Sequence, residues 1–143
     1  MRSNLLLVFL LPLLACREVK SIEPIQGAVD VTFCNLLSRT DAPTKKLVRV
    51  SGLFIDIFEN TTLRDPSCPE HAWIWFDSEF KKHTKSEVLK RFNSRVSSEK
   101  EFKVVFVGIV EGPLPPNKSM FPGYGHMSLF PIQLTVQAIE SVE

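Results

Sequence analysis

Side chains with the means to do covalent chemistry are few in this sequence, and they are scattered. The three histidines, His71, His83 and His126, show none of the short spacings that bring imidazoles onto one metal ion. No Gly-x-Ser-x-Gly marks a nucleophile elbow. Nothing local draws Asp56, Asp65, Glu70 or Asp77 into a working pair of carboxylates. No catalytic residue, metal ligand or cofactor is therefore assigned. The three cysteines are Cys16, Cys34 and Cys68. Cys34 and Cys68 stand too far apart for a redox Cys-x-x-Cys. In an oxidising compartment two such thiols close into a disulfide, which is a staple and not a reagent.

Binding surface is better represented. Trp73 and Trp75 alternate along one apolar run and share a face, and one face of a barrel strand must point outward. Residues 112–128 are rich in Pro and Gly and longer than a plain connection in a compact domain. They carry Met120, Phe121, Tyr124 and His126, an adaptable apolar surface with an imidazole as its polar handle. The plainer arrangement tucks Phe121 and Tyr124 onto the barrel and leaves the glycines to supply positive φ. Trp73 and Trp75 can likewise be covered by a helix or by residues 29–37. Both arrangements stay open at this level.

The elements that must position these residues follow from period. Residues 46–59 read as a long strand, with Val48 and Val50 on one face and Arg49 and Ser51 opposite. After Gly52 the alternation resumes on the other parity through Leu53, Ile55 and Ile57, the phase slip that a β-bulge makes. A short strand is expected at 61–64 and another at 72–76. Residues 84–96 switch to helical period, with Val88, Leu89, Phe92 and Val96 on one stripe. Thr84-Lys85-Ser86-Glu87 predicts a capping box at the start of that helix. Strands at 102–111, with Gly108 as a second bend, and at 129–142 complete the order. In the last, Ile132, Leu134 and Val136 point inward while Gln133, Thr135 and Gln137 point out. Residues 29–37 read as a short strand or a helical turn.

Strand, short strand, strand, helix, strand, strand is an order that resembles the OB-fold, and residues 46–142 carry the resemblance. It implies a mostly β chain with one helix, folded as a small OB-like five-stranded barrel. The same stretch is similar to a group of small exported bacterial proteins that share a strand-Gly-strand, a Cys-Pro loop, a Trp-Ile strand and a Gly-Tyr-Gly-His segment. That group supports fold and location and transfers no active site. In OB-folds the ligand face spans the middle strands, framed by the loops after the first and fourth. The resemblance thus makes Trp73, Trp75, Phe121, Tyr124 and His126 the expected ligand face.

The amino terminus sets the address. Arg2 precedes an apolar run from Leu5, too short to span a bilayer, which ends in Leu13-Leu14-Ala15-Cys16. That ending resembles the lipobox of bacterial lipoproteins. The resemblance implies a signal peptide at 1–15, acylation of Cys16 with palmitate-type chains, a tether through residue 28 and one domain at 29–143. Arg17 in place of Asp implies the outer membrane, facing the periplasm. An ordinary secretory cut behind Ala15 is the alternative, and Asn60-Thr61-Thr62 and Asn117-Lys118-Ser119 fit the glycosylation pattern of a eukaryotic secreted protein.

The formal charge of +1 falls to zero when Arg2 leaves with the leader. A neutral domain has no electrostatic footprint for nucleic acid, and none is expected as a partner. The lysines and arginines of 81–103 read as a solvated face. The sequence therefore points to a module lipid-anchored in the cell envelope at Cys16, with a binding or envelope-structural role, which presents a loop and a strand face to an envelope protein, a glycan or a small ligand. A small periplasmic or secreted enzyme centred on His126 is the rival.

Overall fold

Strands that alternate apolar and polar side chains each have one face to bury, and here the sheet buries all of them by curling on itself. The computed structural model describes residues 22, 24–38, 45–112 and 123–143. The expected leader at 1–15, Cys16, Met120 and Phe121 lie outside the described residues. In chain order the elements are β1 (Val29–Val31), α1 (Phe33–Ser38), β2 (Lys46–Ile57), β3 (Asn60–Arg64), β4 (His71–Phe76), α2 (Phe80–His83), α3 (Ser86–Ser98), β5 (Glu101–Glu111) and β6 (Ile132–Val142). The sheet order is β1-β2-β3-β4-β6-β5, and β2 also pairs with β5, so five strands close into a barrel with β1 added beside β2. β4 and β6 run parallel, as does β1 with β2, and the other pairs are antiparallel. This is the mostly β, OB-like barrel expected from the order of elements. The long helix α3 falls between the third and fourth barrel strands, and α1 and α2 are shorter additions.

The parity of β2 differs from the reading of its sequence. Val48, Val50 and Phe54 are all buried, so one inward face continues straight past Gly52. Pairing with β5 is likewise unbroken from Lys46↔Val110 to Ile55↔Glu101. Gly52 is required by proximity: a Cβ there would lie 2.8 Å from Leu63 Cγ and 2.9 Å from the Arg64 carbonyl oxygen. Leu53 and Ile55 are apolar on the outer face because that face is itself partly covered. The register shifts lie instead between β5 and β6, one between Val105 and Phe106 and one between Val107 and Gly108. In β6 the inward set Ile132, Leu134 and Val136 is as expected.

Aromatic rings fill the barrel. Phe54 sits 5.1 Å from Phe92 of α3, 5.4 Å from Phe102 and 5.7 Å from Phe106, centroid to centroid. Tilted and edge-on contacts of this kind each contribute about 0.5–1.5 kcal/mol beyond the area they bury. The amphipathic helix is therefore anchored through one buried residue, Phe92.

The start of that helix also departs from expectation. The residue at its amino-terminal cap is Lys85, which makes no side-chain cap. Thr84 is spent elsewhere: its buried hydroxyl donates to the Phe80 carbonyl at 2.8 Å and accepts the Ile139 N–H at 3.0 Å. A buried amide on β6 competes better for that oxygen than solvent-exposed amides at a helix start, which water can satisfy.

Ahead of the barrel, β1 and α1 are tied down twice. Cys34 and Cys68 form a disulfide with their Cα atoms 5.6 Å apart, joining α1 to the β3–β4 loop and leaving Phe33 and Leu36 buried in the core. Arg49 donates to Glu140 at 2.6 and 2.8 Å and to Asp30 at 3.1 Å, so β1, β2 and β6 share one guanidinium. Those carboxylates, Glu140 first, hold its pKa well above the ordinary arginine value.

Candidate functional site

β4 places its side chains by parity. Ala72 and Ile74 enter the core, which leaves Trp73 and Trp75 on the outer face. Their surroundings differ. Trp73 lies in an outer-face row with Ile55, Thr62 and Gln133, each paired in register with the next. The segment after residue 122 folds down upon it. Tyr124 and Phe130 exchange backbone hydrogen bonds of 2.8 and 3.2 Å, which closes residues 124–130 into a loop. The Phe130 ring stands 5.4 Å from that of Trp73, and Gly125 rests on the indole so closely that a Cβ would overlap the ring. Gly125 is thus demanded twice, by this approach and by its φ of 71°. Trp75 has no such cover and is 59% exposed.

The facing wall of this surface is the two-residue turn between β2 and β3, Phe58 and Glu59. Ile57 pairs with Asn60, so Phe58 occupies the first turn position, with φ of 54°. A tight hairpin favours glycine, asparagine or aspartate at positive φ. A phenylalanine there is strained, and its ring is 99% exposed, with no packing on the protein to offset the strain. Phe58, Glu59, Thr61 and the β4 residues Trp73, Ile74, Trp75 and Phe76 line an open groove of about 320 Å³. Glu59 Oε2 lies 3.0 Å from His126 Nδ1, joining this turn to the short helical turn His126–Ser128. That second turn is strained too, with φ of 55° at Met127 and 54° at Ser128. It displays Met127 and Leu129 at 74% and 68% exposure.

The structure therefore brings Trp73, Trp75 and His126 together on one face. Tyr124 belongs to the base of the loop: its ring packs on Gly112, and burial followed by the Glu111 carboxylate raises the phenol above its ordinary pKa. Phe58 and Glu59 went unseen in the sequence because Ile57 and Phe58 extend the apolar run of β2 up to Glu59 with no Gly, Asn, Asp or Pro among the three to mark a turn. The one available signal was Asn60, which opens the next strand.

Ligand chemistry elsewhere is limited by what the side chains already do. Cys34, Asp65 and Cys68 converge closely enough to hold an ion, but both sulfurs are consumed by the disulfide. His71 sits near Arg64 and Glu101; burial and the Arg64 charge push its pKa below the ordinary imidazole value. No protein-family model, curated protein or solved structure matches this chain. Its class is defined by architecture: a small OB-like barrel with an open, aromatic outer groove between two strained turns.

Proposed function

We propose that this protein is a lipid-anchored binding module of the bacterial cell envelope. Leu13-Leu14-Ala15-Cys16 supports the anchor, with Cys16 carrying the acyl chains. The barrel would then present the Trp75 face to a protein or glycan outside the cytoplasm. One observation carries the binding reading: Ile57, Phe58, Trp75, Met127 and Leu129, all large apolar side chains exposed to water, belong to this face and its two turns. Apolar side chains concentrated in this way mark an interaction site more often than chance exposure.

The test has two arms. Intact mass of the protein from its native membrane should show acylation at an amino-terminal Cys16 and a gain of two hydrogens on reduction. A photo-crosslinking residue at position 75 should give a discrete adduct in the envelope, and one at Lys90 on α3 should give none. An unmodified or differently placed amino terminus ends the anchor reading. Identical adduct patterns from positions 75 and 90 end the binding reading.

The Glu59/His126 pair favours a second reading, a small enzyme, because a carboxylate on Nδ1 orients an imidazole for proton transfer. Replacing His126 with Ala separates the two. It would abolish turnover in an enzyme, while a binding face would keep its partner with at most a few-fold loss.

A further inference from the structure

The groove beside Trp75 has a charge and a shape that narrow its ligand. Three aromatic residues, Phe58, Trp73 and Trp75, border it together with the acidic Glu59. Aromatic faces carry negative potential and attract cations, most strongly alkylated ammonium groups whose charge is spread over methyls. Glu59 is largely exposed and engages His126 through Oε2, so Oε1 remains for a ligand. A second carboxylate flanks the same turn: Asp56 accepts the Thr61 hydroxyl at 3.1 Å, which commits the one hydroxyl in the wall. Ionised carboxylates only accept hydrogen bonds. Among the described residues no lysine or arginine lines the groove to neutralise them. An anionic ligand meets repulsion here. Resting on the binding reading above, we infer that this groove is a site for an organic cation, an alkylated ammonium held by Phe58 and Trp75 with Glu59 as counter-ion. The strain at Phe58 fits this role, since it holds a ring at the rim that nothing in the protein requires.

The chain reports on the site directly, because Trp73 and Trp75 are its two tryptophans and both line the groove. Full-length protein in a non-ionic detergent is titrated with choline chloride and with tetramethylammonium chloride. Sodium chloride, neohexyl alcohol (the uncharged isostere of choline) and maltotriose serve as controls. Both cations should give a saturable change in tryptophan emission, with the alcohol weaker by on the order of tenfold. Glu59→Gln should weaken choline by a similar factor. Trp75→Ala, which removes an exposed ring and keeps Trp73 as reporter, should lose the response. The inference is overturned if the alcohol or the saccharide matches choline, if sodium chloride reproduces the change, or if Trp75→Ala and Glu59→Gln keep full affinity. A discrete adduct from position 75 without any cation response would sink this inference and leave the binding reading standing. Failure of both would sink both.

Discussion

Glu59 and His126 are 67 positions apart in the chain and meet at 3.0 Å, linking the β2–β3 turn to the loop before β6. This contact joins the two places where the backbone is strained to display an apolar side chain. Exposed pairs of this kind contribute little to global stability, about 0–1 kcal/mol. Replacing His126 with Ala should therefore leave the melting temperature nearly unchanged while freeing the loop. Hydrogen exchange at the Tyr124 and Phe130 amides, which close that loop, should speed up markedly. A large drop in melting temperature with unchanged exchange would contradict this assignment.

Phe58→Gly should stabilise the protein. The residue holds φ of 54° and its ring touches nothing, so glycine removes strain without removing packing. Left-handed backbone disfavours L-residues by roughly 1–2 kcal/mol, partly offset by the extra freedom glycine brings to the unfolded chain. A gain of about 1 kcal/mol in chemical denaturation is expected. The same substitution should weaken whatever binds the groove, so stability and binding move in opposite directions.

Thr84→Val should destabilise the protein although it is nearly isosteric. The hydroxyl is the acceptor for the Ile139 amide and donates to the Phe80 carbonyl. Without it a buried N–H on β6 loses its partner, a loss of about 1–3 kcal/mol. Denaturant midpoints measure this. A change below a few tenths of a kcal/mol would mean that water or a backbone shift replaces the threonine.

Reduction of Cys34–Cys68, or their joint replacement by Ser, releases a loop with a sequence separation of 34. Loop-closure entropy puts the resulting loss at about 3–4 kcal/mol. Phe33 and Leu36 are buried in the core behind that bridge. Unfolding in denaturant with and without reductant should show the shift in midpoint. No shift would mean that the burial of α1 and the Arg49 ion pairs suffice to hold the segment.

Local sequence determined a good part of this protein. Strict alternation set the faces of β6, helical period set the stripe that carries Phe92, and the two-residue spacing of Trp73 and Trp75 put both rings on one side of β4. These are consequences of backbone geometry within a few residues, so a short window contains them. Gly52 shows where a window fails. Leu53 and Ile55 looked like an inward set after a slip, because apolar character alone does not distinguish a core face from an outer face that is partly covered. Thr84 failed for a similar reason: its competitor for the hydroxyl, the Ile139 amide, lies 55 residues away.

The candidate site divides along the same line. Trp73, Trp75, a loop bearing Tyr124 and His126, and two cysteines available to bridge are all legible from local sequence. Packing of the folded chain is what covers Trp73 with Gly125 and Phe130, leaves Trp75 open and sets Tyr124 at the base of the loop. It also makes a glutamate in a strained hairpin turn the partner of His126. The cause is strand pairing across the sheet: β3 beside β4 and β4 beside β6 set the β2–β3 turn and the segment before β6 on one outer face. Such pairings join residues far apart in the chain and leave no local period to read.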